Sequence, residues 1–257
     1  MQVWHMSGAG NDFMVLDARG KALDYPTLAK KLCAMTKADG FMAVDTSEKA
    51  DFRMHFYNSD GSRGEMCGNG SRCICRFAYE NGIAGEQVRV ETDAGIVKGE
   101  RRSRDTYRVW LNVPGVLDLE RKPDCAYVEL GNPGIPHAVK EIPDLTWDMG
   151  EKLRPEAVSL RYDPAFPKGA NVNFYRWIGE HTVRVLTYER GVENYTLACG
   201  TGCGSVTCVL WALGELPGKH LITEVRGGKL EYRIQGSDHV KELIMDGPTE
   251  ILKIYEV

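Results

Sequence analysis

Apolar positions along the chain change period in a set order, and that order occurs twice. Phe52-Arg-Met-His-Phe56 alternates apolar and polar side chains, the mark of a strand with one buried face. It runs into Tyr57-Asn58-Ser-Asp-Gly61. Val183-Arg-Val-Leu-Thr187 is its counterpart and runs into Tyr188-Glu189-Arg190-Gly191. Beyond each turn the period becomes helical, with Ile74, Phe77 and Ala78 in the first stretch and Val206, Val209, Leu210 and Leu213 in the second. Gly82 and Gly214 follow, where a helix end favours positive φ. Strand-like segments then resume at Val88–Thr92 and Leu221–Val225.

A shift of 132 residues superposes the two series, placing Cys67 on Cys199, Gly68 on Gly200, Gly70 on Gly202, Gly82 on Gly214 and Gly95 on Gly227. Each half also opens on a strand, a glycine loop and a second strand. These are Val3–Met6 into Gly8–Phe13, and Tyr127–Leu130 into Gly131–His137. The pattern predicts an α+β protein of two pseudo-symmetric lobes, each a mostly antiparallel sheet wrapped around a central, nearly all-apolar helix. The expected bounds are 1–114 for the N-terminal lobe and 123–246 for the C-terminal lobe. Pro114–Lys122 would be the linker, and the terminal strand 247–257 would return to the first lobe.

Composition narrows the function. Net charge is −4 and no basic run is long, which argues against nucleic acid as a partner. No apolar run is long enough to span a membrane. The N-terminus lacks a basic start followed by an apolar stretch, so a cytoplasmic protein is expected, with its eight cysteines mostly thiols. Their spacings, C-x5-C-x-C and C-x3-C-x4-C, contain no zinc knuckle, and no metal is expected.

Cysteine before Gly-x-Gly at a helix start has a specific chemistry. The first-turn N–H groups lack internal partners and can hold a carboxylate. The same groups favour thiolate over thiol. Two such starts sharing one cleft would place sulfurs on opposite faces of one carbon. One thiolate could then remove an α-proton and the other thiol deliver one, which inverts the centre without a cofactor. The bland alternative is a small buried residue beside a tight turn. It is the expected reading for Cys73, Cys75, Cys203 and Cys208, which lie within the helical stretches.

Gly8-x-Gly-Asn-Asp-Phe13, Asn58-x-Asp-Gly-Ser62, Met66-Cys-Gly-Asn-Gly70, Asn171-Val-Asn-Phe174, Tyr188-Glu-Arg-Gly191 and Ala198-Cys-Gly-Thr-Gly202 together resemble the diaminopimelate epimerase family over the whole chain. The resemblance implies a cofactor-independent epimerase of LL- and meso-diaminopimelate, in lysine and peptidoglycan precursor synthesis, expected as a homodimer. It implies Cys67 and Cys199 as the acid/base pair, with His137 and Glu189 tuning the sulfurs. Gly68, Asn69, Gly200 and Thr201 would hold the reacting carboxylate, with Asn11 beside them. Asn58, Asn171 and Arg190 would hold the distal end, with Glu189 near its ammonium. A bidentate Arg190 suits a second carboxylate on chemical grounds.

Three positions depart from the family pattern. Ile135 stands where an asparagine before His137 is usual, with Asn132 upstream as a candidate substitute. Asp39-Gly40 replaces a frequent glutamine, and Tyr195 a frequent acidic residue. These departures keep a racemase of another amino acid, a hydroxyproline epimerase, a non-catalytic amino-acid-binding relative and a thiol redox sensor as alternatives.

Overall fold

The computed structural model describes residues 1–64 and 66–256. Glu65 and Val257, which fall within the expected N-terminal lobe and terminal strand, lie outside them. The chain forms two compact units, Met1–Trp110 with Asp246–Val257, and Leu111–Met245.

The first unit runs β1 (Gln2–Gly8), β2 (Asn11–Asp17), α1 (Tyr25–Thr36), β3 (Gly40–Asp45), β4 (Phe52–Asn58), β5 (Arg63–Gly64), α2 (Gly68–Glu80), β6 (Gln87–Thr92), β7 (Gly95–Arg101) and β8 (Thr106–Leu111). After β9 (Pro114–Lys122), the second unit runs β10 (Cys125–Gly131), β11 (Gly134–Glu141), α3 (Gly150–Arg161), β12 (Asn171–Gly179), β13 (Thr182–Glu189), β14 (Asn194–Tyr195), α4 (Gly200–Ala212), β15 (His220–Val225), β16 (Gly228–Gln235) and β17 (Glu242–Pro248). The last strand is β18 (Glu250–Glu256).

Pairing repeats with the element order. In the first unit β1–β2, β3–β4, β4–β5 and β6–β7 are antiparallel, while β2–β3 and β4–β6 are parallel. In the second, β10–β11, β12–β13, β13–β14 and β15–β16 are antiparallel, while β11–β12 and β13–β15 are parallel. Each parallel pair needs a crossover, and a helix supplies each one. Each unit therefore holds two helices, where the sequence pattern suggested one.

The extra helices are short and half-exposed. In α1 only Ala29, Leu32 and Cys33 are buried. Its start is still written locally, because Asp24 caps the N–H of Thr27 and Pro26 occupies the first turn. The start of α3 has no side-chain cap, and Pro155 lies inside it.

Pro114–Lys122 is a strand, not a linker. β9 pairs antiparallel with β10, as β18 pairs antiparallel with β1. Each unit thus lays a strand along its first strand, and the alternating partly buried residues of β9 follow from that.

The central helices also correct an expectation. α2 packs on β1, β2, β3 and β7, but it is not nearly all apolar, since Arg72 and Arg76 are both buried in it. They turn toward the β17–β18 turn. Arg72 Nε donates to the Pro248 carbonyl at 3.4 Å and Arg76 Nη1 to the Thr249 carbonyl at 2.7 Å. α4 packs on β9, β10, β11, β12 and β16 and fits the apolar description, with Val206, Val209 and Leu210 buried.

Candidate functional site

Both helix starts have the same local form. Cys67 is the N-cap of α2 with φ −133° and ψ 119°, and Cys199 is the N-cap of α4 with φ −120° and ψ 104°. Extended backbone at the cap lets the side chain fold back over the first turn. Sulfur then takes the role that oxygen plays in Ser or Asp caps. Gly70 N donates to Cys67 Sγ at 3.5 Å and Gly202 N to Cys199 Sγ at 3.3 Å. The cap carbonyls accept from Ser71 N at 2.7 Å and Cys203 N at 3.0 Å, closing both first turns.

The glycines answer to different neighbours. A Cβ on Gly70 would lie 3.0 Å from Met42 Sδ, and one on Gly202 only 2.2 Å from Asn173 Oδ1. Tyr232 Oη donates to the Gly200 carbonyl at 2.7 Å. The Thr201 hydroxyl stands 3.6 Å from Cys199 Sγ.

Around α2 the expected residues form a chain. Asn69, buried in the first turn, donates from Nδ2 to Asn11 Oδ1 at 2.5 Å. Asn11 sits at the end of the tight β1–β2 hairpin, where Ala9 and Gly10 take positive φ. Its Nδ2 donates to Asp39 Oδ2 at 3.3 Å, and the same oxygen accepts from Asp12 N at 2.9 Å. Asn58 is spent on its own turn, with Nδ2 donating to Ser62 Oγ at 2.9 Å. Asp39 is a residue that the sequence reading noted only as a departure. Gly40 beside it has a steric cause, since a Cβ there would lie 2.6 Å from Phe56 Cε2.

Around α4 the support is buried. Asn171 donates from Nδ2 to the Pro136 carbonyl at 3.0 Å and accepts from Arg190 N at 2.9 Å, so it ties β11 to the end of β13. Arg190 Nη1 donates to the Lys168 carbonyl at 3.0 Å, and the arginine has no carboxylate partner among the described residues. Glu189 accepts from Thr196 Oγ1 at 2.6 Å. His137 is fully buried. Its imidazole is pushed down to about 3 by burial, reinforced by the charge of Arg190, so the ring is neutral.

Asn173 touches both His137 and the Gly202 position, and the sequence reading did not single it out. The Asn-x-Asn spacing on β12 was the available signal, because it puts both amides on one face of the strand.

Cys199 departs from the expectation of a stabilised thiolate. Burial raises it well above the ordinary thiol range, with Glu189 adding to the rise. The contacts from Thr201 and Gly202 N–H oppose it without reversing it. Cys73 and Cys75 are pushed up to about 12 by complete burial, and Cys33 and Cys125 to about 11, also chiefly by burial, which suits packing roles.

The three departures lie in different settings. Ile135 pairs with Leu130 across the β10–β11 hairpin, and Asn132 is at its exposed tip. Tyr195 packs edge-on against Tyr188 at 5.4 Å and lines a cavity of about 330 Å³ with Arg154 and Arg226. Among the described residues no group of His, Cys, Asp and Glu is arranged to hold a metal ion, and no helix is long and apolar enough to cross a membrane.

Comparison with known proteins adds independent findings. The family described as "Diaminopimelate epimerase" matches residues 3–110 and 130–252. A diaminopimelate epimerase of Aquifex aeolicus is 36% identical, with 100% of this chain and 96% of that protein covered. One from Methanocella arvoryzae is 38% identical, covering 98% and 94%. Among solved structures, a Bacillus anthracis phenazine biosynthesis protein of the PhzF family aligns with a TM-score of 0.76 at 16% identity, covering 100% of this chain and 98% of that one. A hydroxyproline epimerase from Agrobacterium vitis aligns with a TM-score of 0.71 at 18% identity, covering 100% and 90%. These structures share the α+β fold. The matched family, the level of identity and the near-complete coverage show that the chain belongs to the diaminopimelate epimerase family.

Proposed function

We propose that this protein interconverts LL- and meso-2,6-diaminopimelate, without pyridoxal phosphate, by two-base chemistry at Cys67 and Cys199. The observation that carries this reading is the repeated thiol-capped helix start, one in each unit, on a chain of this family. A lone thiol cap serves a nucleophile equally well. Two matched caps suit removal of a proton from one face of a carbon and its delivery to the other.

The roles follow from local chemistry. Burial and Glu189 hold Cys199 as a thiol, which makes it the proton donor of the resting pair and assigns the base to Cys67. As the α-proton leaves, charge develops on the carboxylate oxygens. First-turn N–H groups around Gly68–Asn69 and Gly200–Thr201 then strengthen their hold on them. After reprotonation from the opposite face, the thiol and thiolate have exchanged, and the reverse reaction starts from that state. Arg190 clamps the distal carboxylate, with Glu189 near the distal ammonium. Asn11 and Asn58 orient the amino-acid ends, while Asn171 acts through the Arg190 backbone that it holds.

A second reading, racemisation of another amino acid, is favoured by the apolar Ile135 and by Phe56 standing over Gly40. One experiment separates the two. Reduced protein is incubated in D2O with meso-diaminopimelate, and separately with single L-amino acids, and the α-proton is followed by NMR. Exchange limited to diaminopimelate supports the first reading. Exchange of another amino acid, with diaminopimelate silent, supports the second. Silence everywhere under reductant removes both.

A further inference from the structure

The buried amide of Asn173 decides where the proton of His137 sits. Asn173 Nδ2 lies 3.0 Å from the Ala138 carbonyl, 3.3 Å from the Asn171 carbonyl and 3.2 Å from His137 Nδ1. Its Oδ1 accepts from Thr187 Oγ1 at 3.0 Å. The two carbonyls can only accept, so the amide cannot be turned round. An amide nitrogen has no lone pair to offer, so Nδ1 of the ring must be the acceptor. The ring proton is therefore on Nε2. Protonating the ring would set an Nδ1–H against the Nδ2–H of Asn173, which keeps the imidazole neutral by geometry.

His137 Nε2 is itself buried and has no hydrogen-bond acceptor among the described residues. Leaving a buried donor unmatched costs about 1–3 kcal/mol, so a native protein that keeps one has a use for it. Arg190 is close enough for its charge to act on the same ring, and it too lacks a carboxylate partner among the described residues. An N–H donor with nothing to accept it and a cation with no counter-charge call for the same ligand, an anion.

We propose that His137 is a fixed, neutral Nε2–H donor to a carboxylate of the amino-acid substrate, beside Arg190, and that Asn173 and Thr187 are the positioning residues that set its tautomer. His137 then carries no proton through the reaction. The ligand assignment rests on the substrate proposed above, whereas the tautomer does not.

The test uses reduced, full-length protein labelled with 15N-histidine. Long-range 1H–15N NMR at neutral pH should show a bare Nδ1 and a protonated Nε2 on His137. Adding meso-diaminopimelate should move the Nε2–H resonance. Asn173→Asp, an acceptor only, should shift the proton to Nδ1 and lower kcat/KM by about tenfold or more. His137→Gln places an amide N–H near the Nε2 position and should retain about tenfold more kcat/KM than His137→Asn. An Nδ1–H tautomer or an imidazolium in the wild type overturns the proposal. So does an Nε2–H resonance unmoved by a substrate that the enzyme turns over. If the wild type turns over no amino acid, the functional reading falls, and the same spectrum still decides the tautomer.

Discussion

The start of α2 and the start of α4 have the same cap, the same spacing of glycines and the same sulfur contact, but they rest on different supports. Cys67 is half-buried, and its first turn is steadied by Asn69, Asn11 and the exposed carboxylate of Asp39. Cys199 is buried, and its first turn lies on Asn173, which is locked from below by Thr187 and bonded to His137. One support is a surface relay that ends in a charge, and the other is a closed polar network inside the core. Local repetition therefore yields two thiols of different character. Burial raises a thiol more than a helix start lowers it, so depth decides which sulfur holds its proton.

Four experiments would break or sharpen that contrast. Replacing either Cys67 or Cys199 by Ser should lower α-proton exchange by about 10²- to 10⁴-fold, the usual worth of a positioned acid or base. If only one replacement matters, the two-base reading fails. Timed alkylation followed by mass spectrometry should mark Cys67 first, because Cys199 is both buried and protonated.

The second experiment is a pH series. The folded-state value of His137 is about 3, against an ordinary 6.5, so the unfolded chain binds a proton that the folded one refuses. The neutral ring's contribution is complete above the ordinary value and is lost as pH falls toward the folded value. On the order of 4 kcal/mol is at stake. Urea midpoints between neutral pH and pH 4 should fall more steeply for the wild type than for His137→Gln. Parallel curves would mean that His137 does not titrate this way.

The third compares Gly202→Ala with Gly70→Ala. The new methyl at 202 meets the locked amide of Asn173, while at 70 it meets the flexible end of Met42. Denaturant unfolding should show a loss of about 1–3 kcal/mol at 202 and clearly less at 70. Equal losses would mean that the core network yields as readily as a methionine. The smallest effect is expected from Asp39→Ala, about 1 kcal/mol in kcat/KM through Asn11, with Asp39→Asn restoring most of it because the amide oxygen can accept the same two bonds. Failure of that rescue would assign Asp39 a role through its charge.

Much of this protein was readable as a repeat. The offset of 132 located α2, α4 and the glycines past their ends, where Gly82 and Gly214 do take positive φ, at 63° and 74°. The same repeat could have recovered β9, since the shift carries Pro114–Lys122 close to the terminal strand. Its proline, glycine and charges read instead as a linker. α1 and α3 escaped because their apolar stripes are narrow and their sequences do not coincide under the shift. The buried arginines of α2 escaped for another reason. A cation in a helix reads as a solvent face unless the carbonyls that receive it are known, and those of Pro248 and Thr249 lie more than 170 residues away along the chain.

By itself the sequence determined the two thiol-capped helix starts, the repeated strand order and the family. These depend on contacts within a few residues or on a period that the chain carries openly. Only the tertiary structure decided that Cys199 is the buried, proton-holding sulfur, that no side chain fits at residue 40 under Phe56, and that Asn173 dictates the tautomer of His137. Each of those is a matter of solvent exclusion or of atoms brought together from distant strands, and neither is written in the spacing of residues along a chain.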